Sequence, residues 1–315
     1  MMLKVFKAAL VAIAVLSIGL GSSASAQTAL PVIRITAGPF DSYGEPYYAE
    51  DQGFFKKAGL DVQIETFGSG EQMAVAVAGG AADIGLDNPI HLALGMAHGA
   101  NVVVIGGSSL YSSKSPTTAL LVEKNSPIKT AKDLENATVG ISGLKNIQEL
   151  GIKAWLAQNG ADIAKIKFVE IPTPSMGPAV ARGTVAAALV AEPFVAVSLA
   201  NSSVRVLAYP FDAVAPAFYI STFFTTPQYA KQNPELVKRF MSAIYEAAKW
   251  SNTHQPETGQ ILMKVAKLDP DVLRTMKRTL YAEDMRANGL QPQLDIGYKY
   301  GVLDKPTTYN EMIGR

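Results

Sequence analysis

Short apolar runs broken by glycine and proline alternate with stretches whose apolar positions recur every three or four residues. Val32 to Ala37 reads as a strand closed by Gly38-Pro39. Pro46 opens a short helix that stops at Gly53, and Phe54 to Ala58 adds a second turn with Gly59 available as a left-handed cap. Asp61 to Thr66 alternates as a strand, Glu71 to Ala78 is a small-residue helix ended by Gly79-Gly80, and Ala82 to Leu86 is a buried strand. Pro89 to Gly99 is the next helix and Val102 to Ile105 a β-branched run. A second block has the same grammar: strand Thr138 to Ser142, helix Leu144 to Asn159, strand Ile166 to Ile171, a Pro172-Thr173-Pro174 loop, and strand Val185 to Val190. Such alternation predicts an α/β fold of βα units around largely parallel sheets. From Pro227 onward the pattern is helical, with helices opening at Pro234, Pro256 and Pro270. These helices are expected to pack on one of two α/β lobes.

The two blocks also match internally. The eleven residues from Ala76 to Leu86 lie over those from Ala179 to Leu189 with five identities: three in the helix tail, the turn glycine and a strand leucine. Their order, helix then glycine then strand, is the same in both blocks.

Met1 to Ala26 is read as an address rather than fold. Lys4 and Lys7 precede thirteen apolar-rich residues from Ala8 to Leu20, and Ala24-Ser25-Ala26 forms an A-x-A site, the three parts of a secretory signal peptide. Thirteen residues fall short of the roughly 20 that span a membrane. Cleavage after Ala26 leaves 289 residues with 26 basic against 27 acidic side chains. That balance argues against a nucleic-acid partner. The absence of cysteine excludes disulfides, thiolate metal sites, cysteine nucleophiles and lipid attachment to cysteine. An exported chain of this kind suits a Gram-negative periplasm.

The stretch Pro46-Tyr47-Tyr48-Ala49-Glu50-Asp51-Gln52-Gly53-Phe54-Phe55-Lys56-Lys57-Ala58-Gly59-Leu60-Asp61-Val62 resembles the "A…GFFKKEGLDV" opening of NMT1/THI5-like solute-binding proteins. These form the sulfonate–taurine–nitrate group that feeds ABC importers. Ala78 to Gly85, Ala119 to Val122 with Ser126-Pro127-Ile128 and Asp133-Leu134, and Val190-Ala191-Glu192-Pro193-Phe194 are similar to that group in the same order, over about residues 32 to 260. One position departs: Ala186 stands where the family usually has Asp, so the resemblance assigns no polar contact to that turn.

The resemblance implies a type II periplasmic-binding-protein fold, two α/β lobes with a hinge and an interlobe ligand cleft. The crossovers are expected near Ser112 to Thr118 and Ala208 to Ala217, giving a first lobe of 27–113 plus 215–315 and a second of 114–214. Ligands of open α/β sheets sit beyond the carboxyl ends of strands, which selects the candidate binding residues. In the first lobe these are Phe40, Tyr43, Ser69, Gly70, Glu71, Asn88, Ser109 and Tyr219; in the second they are Ser142, Asn146 and Glu192. Tyr43 and Tyr219 are expected as cleft walls, since a phenol stacks a flat ligand and hydrogen-bonds it. Asp87 joins Glu71 and Glu192 as a third carboxylate near the cleft; a structural or hinge role is expected for Glu192, while carboxylates facing the ligand would favour an amine, amide or pyrimidine.

No catalytic or metal site is expected: His91 and His98 lie seven apart, His254 is remote, and no G-x-S-x-G, H-E-x-x-H, P-loop or G-x-G-x-x-G motif follows a strand. No cofactor is expected. The function implied is the periplasmic solute-binding component of an ABC importer, a monomer that closes on a sulfonate, an aromatic or organic acid, or a pyrimidine-like solute. Its partners would be that ligand and the permease–ATPase complex, with membrane contact only through the permease. An exported enzyme on the same scaffold, or a subunit presenting ligand to a sensor, is the alternative.

Overall fold

The computed structural model describes residues 30–315, so the expected signal segment lies outside it. Its strands are β1 (Val32–Ala37), β2 (Asp61–Thr66), β3 (Ile84–Asp87), β4 (Val103–Gly107), β5 (Ser109–Ser112), β6 (Thr118–Glu123), β7 (Thr138–Ile141), β8 (Lys167–Glu170), β9 (Ala187–Ala191), β10 (Val204–Ala208), β11 (Ala217–Tyr219), β12 (Thr222–Thr225) and β13 (Leu280–Tyr281). They form two five-stranded sheets, β2-β1-β3-β12-β4 and β10-β6-β9-β7-β8, and a three-stranded sheet β11-β5-β13.

Read from opposite ends, the two large sheets have one topology. In the first, β2, β1 and β3 are parallel and β12 runs antiparallel between β3 and β4. In the second, β8, β7 and β9 are parallel and β6 runs antiparallel between β9 and β10. Four of the five strands in each sheet thus point the same way, as the alternation suggested, and a single strand, β12 or β6, is inserted antiparallel. The cause is the chain path: β6 and β12 each follow a passage from one sheet to the other and enter against the direction of the βα units.

The internal match is structural. Helix Gly70–Ala78 leads into β3, and helix Thr173–Ala181 leads into β9. Each ends at a left-handed glycine, Gly80 at φ 74° and Gly183 at φ 69°. The following N–H groups of Ala81 and Thr184 close back on the Ala76 and Ala179 carbonyls at 2.9 Å in both. Asp83 anchors the first turn through the Arg34 N–H at 2.8 Å and guanidinium at 2.6 Å; Ala186, without a carboxylate, makes no such anchor. Helix Thr173–Ala181 corrects the expected Pro172–Pro174 loop. Pro174 sits in its first turn, where a missing N–H costs no helical hydrogen bond.

The passages between the sheets lie side by side. β5 precedes one and β11 follows the other, and they pair antiparallel with Ala217 opposite Ser112 and Tyr219 opposite Leu110. Tyr111, Phe211 and Phe218 pack beneath them with ring centroids 5.2–5.6 Å apart. Of the C-terminal helices, Pro234–Thr253 covers the first sheet, Gln255–Ala266 packs on helix Glu45–Asp51, and Ala287–Lys299 packs on β11 and helix Pro89–Ala97. Phe240, Ile244 and Ala247 of the longest are buried against β1, β3 and β12. Among the described residues no helix is long and apolar enough to cross a membrane.

Candidate functional site

The carboxyl ends of the parallel strands of both large sheets open onto one cavity of about 140 Å³. The segment after β1 brings Phe40, Ser42 and Tyr43 to it, the turn after β2 brings Gly68 to Glu71, and the end of β3 brings Asp87 and Asn88. From the second sheet come Ser142 and Asn146 after β7, Thr173 after β8, Ala191 and Glu192 from the end of β9, and Thr118 from the start of β6. Nine of the eleven expected binding residues therefore meet here.

Local helix chemistry accounts for most of the polar lining. Ser69 Oγ, Asn88 Oδ1 and Asn146 Oδ1 are N-caps that accept from the N–H groups of Gln72, His91 and Gln148 at 3.4, 2.9 and 2.8 Å. Asn146 Nδ2 donates to Ser142 Oγ at 3.2 Å, and the Ser142 N–H donates to Gln148 Oε1 at 2.7 Å. These turns hold the helix N-termini toward the cavity, where the exposed N–H groups and the positive dipole end favour acceptor oxygens.

The three carboxylates differ. Asp87, 1% exposed, accepts from the Asn88 N–H at 2.7 Å and is paired with His91 Nδ1. That hydrogen bond holds the His91 imidazolium above its ordinary range, against the effect of burial. Glu192 uses its two oxygens to bridge distant segments: Oε2 accepts from the Ala196 N–H and Oε1 from the Lys277 N–H, both at 3.1 Å. It is a clasp at the passage between the sheets, and its own N–H donates to the Thr117 carbonyl at 2.9 Å. Burial pushes the Glu192 carboxyl up to about 7, against the two N–H donors. Glu71 is exposed and reaches across the cavity, its Oε1 2.9 Å from where a side chain on Gly143 would begin.

The raised Glu192 carboxyl makes stability pH-dependent. A group whose pKa rises on folding stabilises the fold fully below its unfolded value, about 4.3 for Glu, and that contribution is lost as pH rises through the folded value of about 7. Stability is expected to fall between about pH 5 and pH 8, and the fall to be smaller in Glu192→Gln. Urea midpoints showing the same pH slope in both proteins would contradict this.

The walls are aromatic. Phe40 meets Tyr43 edge-on at 6.3 Å and Phe194, beside the second sheet, at 6.4 Å. Burial, with Asp87 and Glu71 nearby, raises the Tyr43 phenol well above its ordinary value and keeps it a neutral donor.

Two expected residues do not reach the cavity. Ser109 is fully buried within β5, its hydroxyl 2.7 Å from Ser221 Oγ, because strand alternation turns it into the core. Tyr219 is 2% exposed and points to the opposite side of β11, where its hydroxyl donates to the Asp284 carbonyl at 3.2 Å and accepts from the Arg286 N–H at 2.9 Å. Sequence reasoning missed Ser42, Thr118, Thr173 and Phe211. Thr118 had a signal, as a polar residue opening a strand directly after a passage; Thr173 was hidden by its flanking prolines. Among the described residues no group of three or more His, Asp or Glu side chains is placed to hold a metal ion.

A family model described as NMT1/THI5 like matches residues 43–258. A Bacillus subtilis (strain 168) protein provisionally named a binding protein, YtlA, is 25% identical over 303 residues, covering 91% of this chain and 88% of that one. An Escherichia coli (strain K12) protein provisionally named an aliphatic sulfonates-binding protein is 28% identical over 213 residues, 66% of this chain and 63% of that one. The crystal structure of the periplasmic aliphatic sulphonate binding protein SsuA from Escherichia coli superposes with a TM-score of 0.74 at 21% identity, over 90% of this chain and 91% of that one. The fold is that of the periplasmic binding proteins.

Proposed function

The chain belongs to the NMT1/THI5-like family, and we propose that it serves as the solute-binding component of an ABC importer. The observation that carries this is the cavity itself, lined from the strand ends of both large sheets, between which the chain crosses at the two passages beside β5 and β11. We take residues 27–113 plus 215–315 as one lobe and 114–214 as the other, hinged at those passages. Solute bound between the lobes stabilises their closed arrangement by differential affinity, with no bond chemistry, and the closed form is what the permease–ATPase complex receives. The names of the two curated relatives, both binding proteins, support a carrier over a catalyst. Residues 1–26 direct export to a Gram-negative periplasm and are removed, leaving a monomeric carrier.

Saturating solute is expected to raise the melting temperature and reduce the radius of gyration, since a ligand shifts a two-state equilibrium only by binding one state more tightly. Small-angle scattering that shows no compaction with a solute bound at the cavity would count against hinge closure.

A further inference from the structure

We infer that the solute carries a hydrogen-bond-donating nitrogen, an amine, amidine or amide, and that Glu71 selects for it. This takes the solute-receptor function proposed above as its premise and specifies the ligand class.

No lysine or arginine lines the cavity. The cations nearest to it along the chain are engaged elsewhere. Lys145 pairs with Asp304 at 3.3 Å and Lys153 with Glu149 at 2.5 Å. The Lys277 ammonium lies 5.0 Å over the Tyr209 ring, and Arg278 is held by Asp41. A purely anionic solute would thus meet backbone N–H groups and hydroxyls but no cationic side chain.

The carboxylates point the same way. Asp87 is occupied by His91 and the Asn88 N–H, and both Glu192 oxygens accept backbone N–H groups. Glu71 alone among the three has neither a hydrogen-bond nor an ion-pair partner among the described residues. It stands on the first turn of helix Gly70–Ala78, lines the cavity and spans to the Gly143 turn, so a solute that fills the cavity would meet it. Enclosing that carboxylate with a solute that offers it no donor would leave a charge stripped of water and unpaired. A donor nitrogen removes that penalty and adds a charge-assisted hydrogen bond. The remaining hydroxyls and helix N-termini then receive the acceptor oxygens of the same molecule.

The test has two arms. In the first, calorimetry compares taurine with ethanesulfonate and β-alanine with propionate, pairs that differ by the nitrogen, on wild type and on Glu71→Gln. The nitrogen-bearing member is expected to bind at least tenfold tighter to wild type, and the preference to collapse in the variant. In the second, native mass spectrometry identifies any solute retained by the protein on purification from its own periplasm, and a retained solute with a donor nitrogen supports the inference. A retained solute without nitrogen, or a pair preference that is absent or that survives in Glu71→Gln, overturns it while leaving the receptor function standing. Failure of both arms to reveal any bound solute overturns the receptor function and the inference with it.

Discussion

Replacing Arg278 with methionine is expected to destabilise the folded chain by about 3–5 kcal/mol, the usual cost of breaking a buried ion pair from one side. Asp41 is 1% exposed and is bound on every side. Arg278 Nε donates to Oδ2 and Nη2 to Oδ1, both at 3.0 Å, and the Tyr48 hydroxyl and the Thr279 N–H add bonds of 3.0 and 2.7 Å. The Tyr281 hydroxyl donates to the Asp41 carbonyl. This network ties the segment after β1, which carries Phe40, Ser42 and Tyr43 into the cavity, to a C-terminal segment more than two hundred residues away. Without the guanidinium the carboxylate stays buried beside neutral donors, or takes up a proton and conflicts with them. The double variant Asp41→Asn with Arg278→Met should cost less than the single one, because no unpaired charge remains. Urea unfolding of the three proteins checks the ranking; equal midpoints for wild type and Arg278→Met would show that the pair contributes nothing net.

That network also marks where sequence reading stops. The strands and helices that build the cavity were legible because each is set by its own apolar period and by local caps: Ser69, Asn88 and Asn146 each bond a main-chain N–H two or three residues ahead. The Asp87–His91 pair is of the same local kind, four residues apart, yet nothing in the sequence said that the carboxylate would be buried. Tyr219 was misplaced because its partners, Asp284 and Arg286, lie 65 and 67 residues downstream, and only the docking of helix Ala287–Lys299 turns the ring away from the cavity. The antiparallel strand inserted in each sheet is not legible, for a related reason. The direction of β6 and β12 depends on the path of the chain between sheets, which no local period records. Glu192 could be marked as a hinge candidate, but its contact with the Lys277 N–H spans 85 residues and needed the fold.

The change expected to do most damage to solute binding at least cost to the fold is Gly70→Ala. Gly70 is the first residue of its helix, and its backbone is open to alanine, so no conformational strain enters. The obstacle is space. A Cβ there would run into Asp87 Oδ1, lie 2.7 Å from Asp87 Cγ and come within 3.3 Å of the Tyr43 hydroxyl. Asp87 has nowhere to retreat, since Oδ1 is held by the Asn88 N–H and Oδ2 by His91. The helix must therefore move outward or the Asp87–His91 pair must break. Either displaces Ser69 and Glu71 from the cavity edge. Overpacking of this kind costs about 1–3 kcal/mol of stability, and better helix propensity offsets part of it. Binding should suffer more, by at least about 1–3 kcal/mol, a tenfold to hundredfold loss, because several hydrogen bonds to the solute are misaligned together. Val75→Ala, on the same helix but 74% exposed, is the matched control and should leave affinity unchanged. Calorimetric titration of both variants with a solute that saturates the wild type decides the matter: Gly70→Ala binding as tightly as Val75→Ala would mean that this turn does not hold the solute.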